Sequence, residues 1–408
     1  MKILLLTYYF PPCGGACVQR WLRFIRALTK KGVDIYVVTT LNGDYPYTDE
    51  SLLAKIPSSV KVYRSKPLKF SKLWHFFGQK ELPYGSLQNK KTDSFGKKVL
   101  YWLRLNFIVP DIRIGWNPSA YKNALKVLYQ DKIDYVITTG PPHSTHLVGL
   151  KLKKHFGVQW RTDFRDPMSE IYYLKINPPC SITLAWLRYL ERKIIQTADL
   201  NYIFSKVIAD ALPPGKKEVL YNGFDPDDFK DFHYSRTDKF RIKYAGQLTA
   251  GQDVSPLMEA LSSLKLPLVE FSLIGTRDFP QTDIPVIKIP FLPHNKALQE
   301  LVNAELLILI INNYEGNEGM LPSKLFEYMA SRTPILCISK PAGEAYNLIC
   351  KTESGFVCNN SEEIANYIKW LYKRFMKGDN LRTKGDISFL DVNNQVQSLL
   401  NHQESFVP

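Results

Sequence analysis

The first forty residues constrain the fold more than any other stretch. Lys2–Thr7 is an apolar run of the right length for one buried strand, and a tight loop follows at Pro11-Pro-Cys-Gly-Gly15. From there Val18, Trp21, Leu22, Ile25 and Leu28 recur at helical spacing, with Arg20, Arg23, Arg26 and Lys30 on the other faces. Gly32 stops that helix, and Asp34–Thr40 resumes as a strand. Strand, helix and strand in this order make a βαβ unit, which requires a parallel sheet. Its glycine-rich first turn lets an anion approach the backbone, although the loop does not spell GxGxxG and so lacks the dinucleotide fingerprint.

The alternation continues. Further strands are expected at 135–139, 159–164 and 200–204, and the pattern restarts at 240–245, 269–274, 306–311 and 334–338. A chain of 408 residues is too long for one ordinary core. The expected fold class is therefore α/β, with two doubly wound Rossmann-like domains facing a central cleft and ligands at the carboxyl ends of both sheets. The boundaries are drawn at 1–230 and 231–385. Residues 222–239 read as a linker, and 386–408 hold an amphipathic helix, 392–402, expected to pack back on the first domain.

Composition narrows the setting. No run approaches the roughly 20 apolar residues of a membrane-spanning helix, so the expected location is the cytoplasm, or the inner face of the cytoplasmic membrane. Six cysteines form no CxxC pair and no zinc pattern, and Cys13 and Cys17 read as small fillers. The net charge of +14 asks for an anionic partner. Ten Lys and Arg against two acids lie between Arg64 and Arg104, interleaved with Phe70, Trp74, Phe76, Phe77, Tyr84, Phe95, Tyr101 and Trp102. That mixture suits an anionic membrane surface. Nucleic acid is not expected, because no helix-turn-helix, RNP-like or zinc-finger pattern accompanies the charge. A solvated loop with a few buried aromatics is the other reading.

Chemistry concentrates in three places. Gly319–Ala330 follows the apolar run 306–311 and sets Lys324 and Glu327 three apart at a helix start introduced by Pro322-Ser323, an arrangement suited to a phosphorylated ligand. An exposed helix with an ordinary i,i+3 ion pair fits the same residues. His143 and His146 follow a strand end in a Pro-flanked loop, and His146 also suits a helix residue turned toward packing. Asp163, Arg165 and Asp166 close the next strand, either as a self-paired ion cluster or as groups that position and deprotonate a hydroxyl.

Tyr8-Tyr-Phe-Pro-Pro-Cys-Gly-Gly15, Gly140-Pro-Pro-His-Ser144, Asp163-Phe-Arg-Asp-Pro167, Asn222-Gly-Phe-Asp225, Ala245-Gly246 and Pro322–Ala330, in this order, resemble the glycosyltransferase family 4-like enzymes of GT-B fold over nearly the whole chain. The resemblance implies sugar transfer from a nucleotide-sugar donor to a glycan or lipid-linked acceptor in cell-envelope or polysaccharide synthesis. It also implies retention of configuration, no bound metal and no cofactor. Carried over by motif, the donor-binding residues are Gly14, Gly15, Gln247, Ser323, Lys324 and Glu327, and the catalytic ones His143, Asp166 and Lys324.

The chain departs from the family in two ways. Gly319 stands where a donor-sugar Glu is usual, with Glu318 one position off. Gln247 and Gln252 stand where Arg and Lys usually clamp the diphosphate, leaving Lys243 or Arg277 to assist Lys324. Asp225-Pro-Asp227 spells DxD but falls in the linker. The lost cations also suit a catalytically degenerate sugar-nucleotide-binding or partner protein; an epimerase on the same architecture is a third reading.

Overall fold

The structure is a computed structural model that describes residues 1–68, 95–171, 174–175, 177–249, 251–280, 285–312 and 316–401. The chain divides into two compact units, Met1–Tyr221 and Asn222–Pro408. Most of the basic aromatic segment, residues 69–94, lies outside the described residues.

In the first unit the strands are β1 (Lys2–Leu6), β2 (Asp34–Thr40), β3 (Lys61–Ser65), β4 (Tyr135–Gly140), β5 (Trp160–Phe164), β6 (Leu200–Ile203) and β7 (Lys217–Val219). The helices are α1 (Ala16–Lys30), α2 (Phe95–Phe107), α3 (Asn117–Gln130), α4 (Ser144–Phe156), α5 (Ser181–Thr197) and α6 (Lys206–Ala211). The strands form one parallel sheet in the order β3-β2-β1-β4-β5-β6-β7. The order reverses at β1, which pairs with both β2 and β4. A crevice opens at such a point beyond the strands' carboxyl ends, because the following loops run to opposite faces. β4 is buried along its full length, as expected for a strand covered by helices on both faces.

The second unit repeats the plan with β8 (Phe240–Ala245), α7 (Ser255–Ser263), β9 (Val269–Ile274), β10 (Val286–Ile289), α8 (His294–Val302), β11 (Leu306–Ile310), α9 (Lys324–Ala330), β12 (Ile335–Ile338), α10 (Glu344–Lys351), β13 (Gly355–Cys358), α11 (Ser361–Met376) and α12 (Val392–Asn401). Its parallel sheet has the order β10-β9-β8-β11-β12-β13, reversing at β8. Phe240, Ile242, Leu306, Ile308 and Ile310 pack with Ile364, Ile368 and Leu371 of α11.

The stretch expected as a linker is built into the second unit. Phe224 exchanges backbone hydrogen bonds with Leu390 and Val392, both at 3.0 Å, and the Tyr234 hydroxyl donates to Glu305 at 2.6 Å. Asp225 turns to its own backbone, its Oδ1 accepting from Asp227 N at 3.1 Å. Among the described residues no three His, Cys, Asp or Glu side chains gather as a metal-ligand set.

Candidate active site

In the first unit the loop after β1 runs into α1 through two glycines, of which Gly15 is required by its backbone conformation. A Cβ on Gly14 would lie 2.1 Å from the Tyr47 ring, and Gly15 has φ +107°, a conformation unfavourable for any side chain. Gly15 is the N-cap of α1 and offers no side chain to cap it. The helix is held instead from its next turn. Arg20 and Asp163 are fully buried and meet at 2.8 Å. Asp163 also accepts from Trp21 Nε1 at 2.7 Å and Thr139 Oγ1 at 2.8 Å. Burial would raise the Asp163 pKa, but the Arg20 charge and these bonds hold it below the usual carboxylate range. Asp163 is thereby saturated, which assigns it to the ion-cluster reading, with Arg20 as its partner.

Arg165 and Asp166 follow β5. Arg165 donates from Nε to Gly140 O at 3.1 Å and from Nη2 to Pro141 O at 2.7 Å, and its guanidinium also contacts the Cys17 thiol. It thus ties the first turn of α1 to the end of β4 and the loops after β4 and β5. Burial pushes the Asp166 carboxyl up, against the opposing charge of Arg165. A raised carboxyl that keeps a cation neighbour has the character of a proton acceptor.

Both histidines are buried and close on Gly140, where a Cβ would come 2.6 Å from His146 Nε2 and 2.9 Å from His143 Nδ1. His146 stacks on Phe164 with ring centroids 4.4 Å apart, and its Nδ1 lies 2.9 Å from Thr138 Oγ1. Trp160 Nε1 donates to that same Thr138 oxygen at 2.9 Å. Burial and then Arg165 lower the His146 pKa to about 3. His146 therefore matches the packing reading. His143 differs: neither of its ring nitrogens has a hydrogen-bond partner among the described residues. Burial first, then His146 and Arg165, hold it well below the usual imidazole range, so it is neutral at physiological pH.

In the second unit the switch-point strand β8 ends beside α9. Ser323 is the N-cap residue, and its hydroxyl makes no capping bond. Lys324 opens the helix and turns back. Its Nζ donates to Ala245 O at 3.1 Å and lies 4.1 Å from the centroid of the Tyr244 ring. Burial lowers its pKa to about 7. Glu327, one turn on, meets His294 Nε2 at 3.1 Å. Tyr328 is buried beneath and accepts from Ala245 N at 3.1 Å. Sequence reasoning missed His294, whose signal was a Pro-His pair at a helix start.

Gln247 and Gln252 serve the backbone. Gln247 Nε2 donates to Gly275 O, and its Oε1 accepts from Arg277 N at 3.2 Å. Gln252 Nε2 donates to Ile310 O at 2.6 Å, and its Oε1 accepts from Thr249 N at 2.8 Å. Lys243 was expected as an auxiliary cation near the diphosphate. It is buried and paired with Glu300 at 2.5 Å, because its side chain leaves β8 toward α8. Arg277 is exposed in the loop after β9. A small hollow of about 70 Å³ lies beyond β11 and β12, lined by Asn312, Asn317, Ser339, Lys340, Asn359 and four others; neither Lys324 nor Glu327 lines it.

The expected residues thus fall into two groups. Gly14, Gly15, His143 and Asp166 surround the carboxyl ends of β1, β4 and β5, while Gln247, Ser323, Lys324 and Glu327 surround those of β8 and β11.

Solved structures with this architecture span almost the whole chain. Sucrose-phosphate synthase from Thermosynechococcus elongatus matches with a TM-score of 0.57 at 14% identity, over 98% of this chain and 95% of that one. HepE of Anabaena, in complex with UDP-glucose, matches with a TM-score of 0.56 at 16% identity, over 98% and 95%. A putative UDP-N-acetylglucosamine 2-epimerase from Listeria monocytogenes matches with a TM-score of 0.52 at 13% identity, over 99% and 97%. The chain has the GT-B fold. No family model and no curated protein sequence matches it.

Proposed function

We propose that this GT-B chain is a glycosyltransferase that moves a sugar from a nucleotide-sugar donor to a glycan or lipid-linked acceptor. The reading includes retention of configuration, no metal requirement, and work in cell-envelope or polysaccharide synthesis at the cytoplasmic face of a membrane. The observation that carries it is Lys324, a partly buried ammonium poised near neutrality at the carboxyl end of the switch-point strand. As the glycosidic bond breaks, negative charge grows on the departing diphosphate. A preorganised cation in a desolvated place stabilises that charge more than water does. Glu327 is suited to accept from ligand hydroxyls, and His294 beside it fixes its orientation.

The first unit supplies the acceptor side in this reading. Asp166, raised by burial, takes the proton of the attacking hydroxyl, and neutral His143 orients the reacting groups. HepE supports the donor class through its bound UDP-glucose. The epimerase neighbour shares the fold, so the fold alone does not select the reaction.

A degenerate binding protein is favoured by one observation: both glutamines at the diphosphate positions are engaged with backbone groups. A thermal-shift panel of nucleoside diphosphates and nucleotide sugars, followed by donor hydrolysis without acceptor, separates the readings. Stabilisation with slow donor turnover supports transfer. Stabilisation without turnover, with or without glycan acceptors, supports the degenerate reading. No stabilisation by any nucleotide defeats both.

A further inference from the structure

Two helices of the first unit carry a second apolar face that their packing does not use. α2 turns Leu105 inward, onto the core that holds Leu187, Leu190 and Ile194 of α5. Its opposite stripe, at i, i+3, i+4 and i+8, is Val99, Trp102, Leu103 and Phe107, all exposed and Phe107 at 74%. α5 repeats the design: Ile182, Trp186 and Tyr189 follow one another at i, i+4 and i+7 on the outer side, with Ile182 83% and Trp186 50% exposed. The helices are joined, since Cys180 N donates to Asn106 Oδ1 at 2.8 Å. That bond brings the Phe107 end of α2 beside the Ile182 end of α5. Seven large apolar side chains are therefore exposed on two helices joined at this point, here called the α2–α5 ridge, more than scattered surface hydrophobics require.

The charge around the ridge is mainly positive. On α2, Lys98 is exposed and Arg104 is partly buried, and the helix contains no acid. α5 contains Arg188, Arg192 and Lys193, and its one acid, Glu191, is buried against Met168 N and Ser169 Oγ. Lys193 lies 5.1 Å from the centre of the Tyr189 ring. Glu170, at 2.8 Å from Arg188, is the neighbouring acid.

Three occupants are conceivable for such a ridge. A nucleic acid would use the cations and leave Phe107 and Ile182 in water. A second copy of the same ridge would bring cations against cations. An anionic bilayer satisfies both parts, because the aromatic and aliphatic tips enter the headgroup boundary while Lys and Arg meet lipid phosphates. We propose that the α2–α5 ridge docks the protein on an anionic lipid bilayer. The docking deepens the reading above by supplying the surface on which a lipid-linked acceptor is met, and it rests on that reading only for this consequence.

The test is co-sedimentation of the full chain with phosphatidylcholine vesicles, with and without phosphatidylglycerol, comparing wild type with the triple variant Phe107→Ser, Ile182→Ser, Trp186→Ser. All three side chains are exposed, so the fold is expected to survive, and an unchanged melting temperature checks this. The wild type should sediment with phosphatidylglycerol vesicles, and the variant should lose affinity by about tenfold or more. A blue shift of tryptophan fluorescence on vesicle addition that shrinks in the single variant Trp102→Phe reports insertion of α2 even if the triple variant misfolds. Equal binding by wild type and variant, no wild-type binding, or a ridge-dependent dimer in sedimentation velocity overturns the proposal. Nucleotide binding measured without vesicles keeps the outcome separate from the glycosyltransferase reading.

Discussion

Lys324 donates to the carbonyl oxygen of Ala245 at 3.1 Å, joining the first residue of α9 to the last residue of β8. That tie places an ammonium of lowered pKa, about 7, where an anion would arrive. The sign of the pH effect differs for folding and for binding. Between about 7 and the ordinary lysine value of 10.5, the unfolded chain holds more protons than the folded one. Stability therefore rises with pH through that window, and the burial penalty is fully present below it. Binding of a diphosphate favours the protonated form. Affinity should be flat below about pH 7 and fall above it, with proton uptake on binding. Calorimetry of nucleoside diphosphate binding in two buffers of different ionisation enthalpy measures that uptake, and Lys324→Met should abolish it. Binding without proton exchange at pH 8 would remove Lys324 from the anion site.

Glu327 and His294 form the second contact to test. Glu327→Gln keeps the shape and removes the charge that accepts from a ligand hydroxyl, a loss of about 1.5–3 kcal/mol in donor affinity. Because Glu327 is only partly buried, the melting temperature should change little. His294→Ala should weaken the donor by less, since its effect passes through the orientation of Glu327. Titration of nucleotide sugar into each variant gives the order; donor affinity unaltered in Glu327→Gln would place the ligand elsewhere.

Asp163 should behave as a structural group. Asp163→Asn leaves Arg20 buried without its counter-charge and should destabilise the first unit by about 3–5 kcal/mol. The folded carboxyl is depressed, so its contribution is present above the unfolded value of 3.8 and is lost as pH falls below it. Denaturant melts of wild type and variant between pH 3 and 7 should converge at the acid end. A variant of normal stability with reduced turnover would instead return Asp163 to the acceptor site.

The sheet's central strands were readable because their apolar runs are buried on both faces: Leu306–Ile310 is buried throughout. The edge strands were not. β3 reads Lys-Val-Tyr-Arg-Ser, with no residue fully buried, and β10 is half-exposed, so each is a strand through its pairing with β2 or β9. Distance along the chain hid other features. Turn-forming residues near Asn222 suggest a linker, while the bonds of Phe224 to Leu390 and of Tyr234 to Glu305 cannot be read from a local window. The site was legible where a motif fixes the backbone, as at Gly14-Gly15 and Pro322-Ser-Lys324. It was illegible where partner choice decides. Lys243 looked available from its strand-end position, yet Glu300 on α8 holds it; Asp163 looked equally suited to Arg165, yet α1 supplies Arg20.

His143 separates function from stability most sharply. Its two ring nitrogens are buried with no partner among the described residues, and its ring lies 5.5 Å from Phe164 in a stacked arrangement. A buried polar group left unsatisfied costs about 1–3 kcal/mol, whereas an apolar ring of similar shape does not carry that cost. His143→Phe should therefore raise the melting temperature while lowering sugar transfer by about tenfold or more, the range of a lost positioning group. His146→Phe is the matched control. It breaks the bond to Thr138, whose oxygen keeps the Trp160 donor, and it removes an Nε2 that has no partner among the described residues, so it should raise stability less than His143→Phe does. Thermal melts and initial rates on both variants decide the matter: if His143→Phe is more stable and fully active, the imidazole is there for its shape, and the loop between β4 and α4 is a wall of the site with no part in its chemistry.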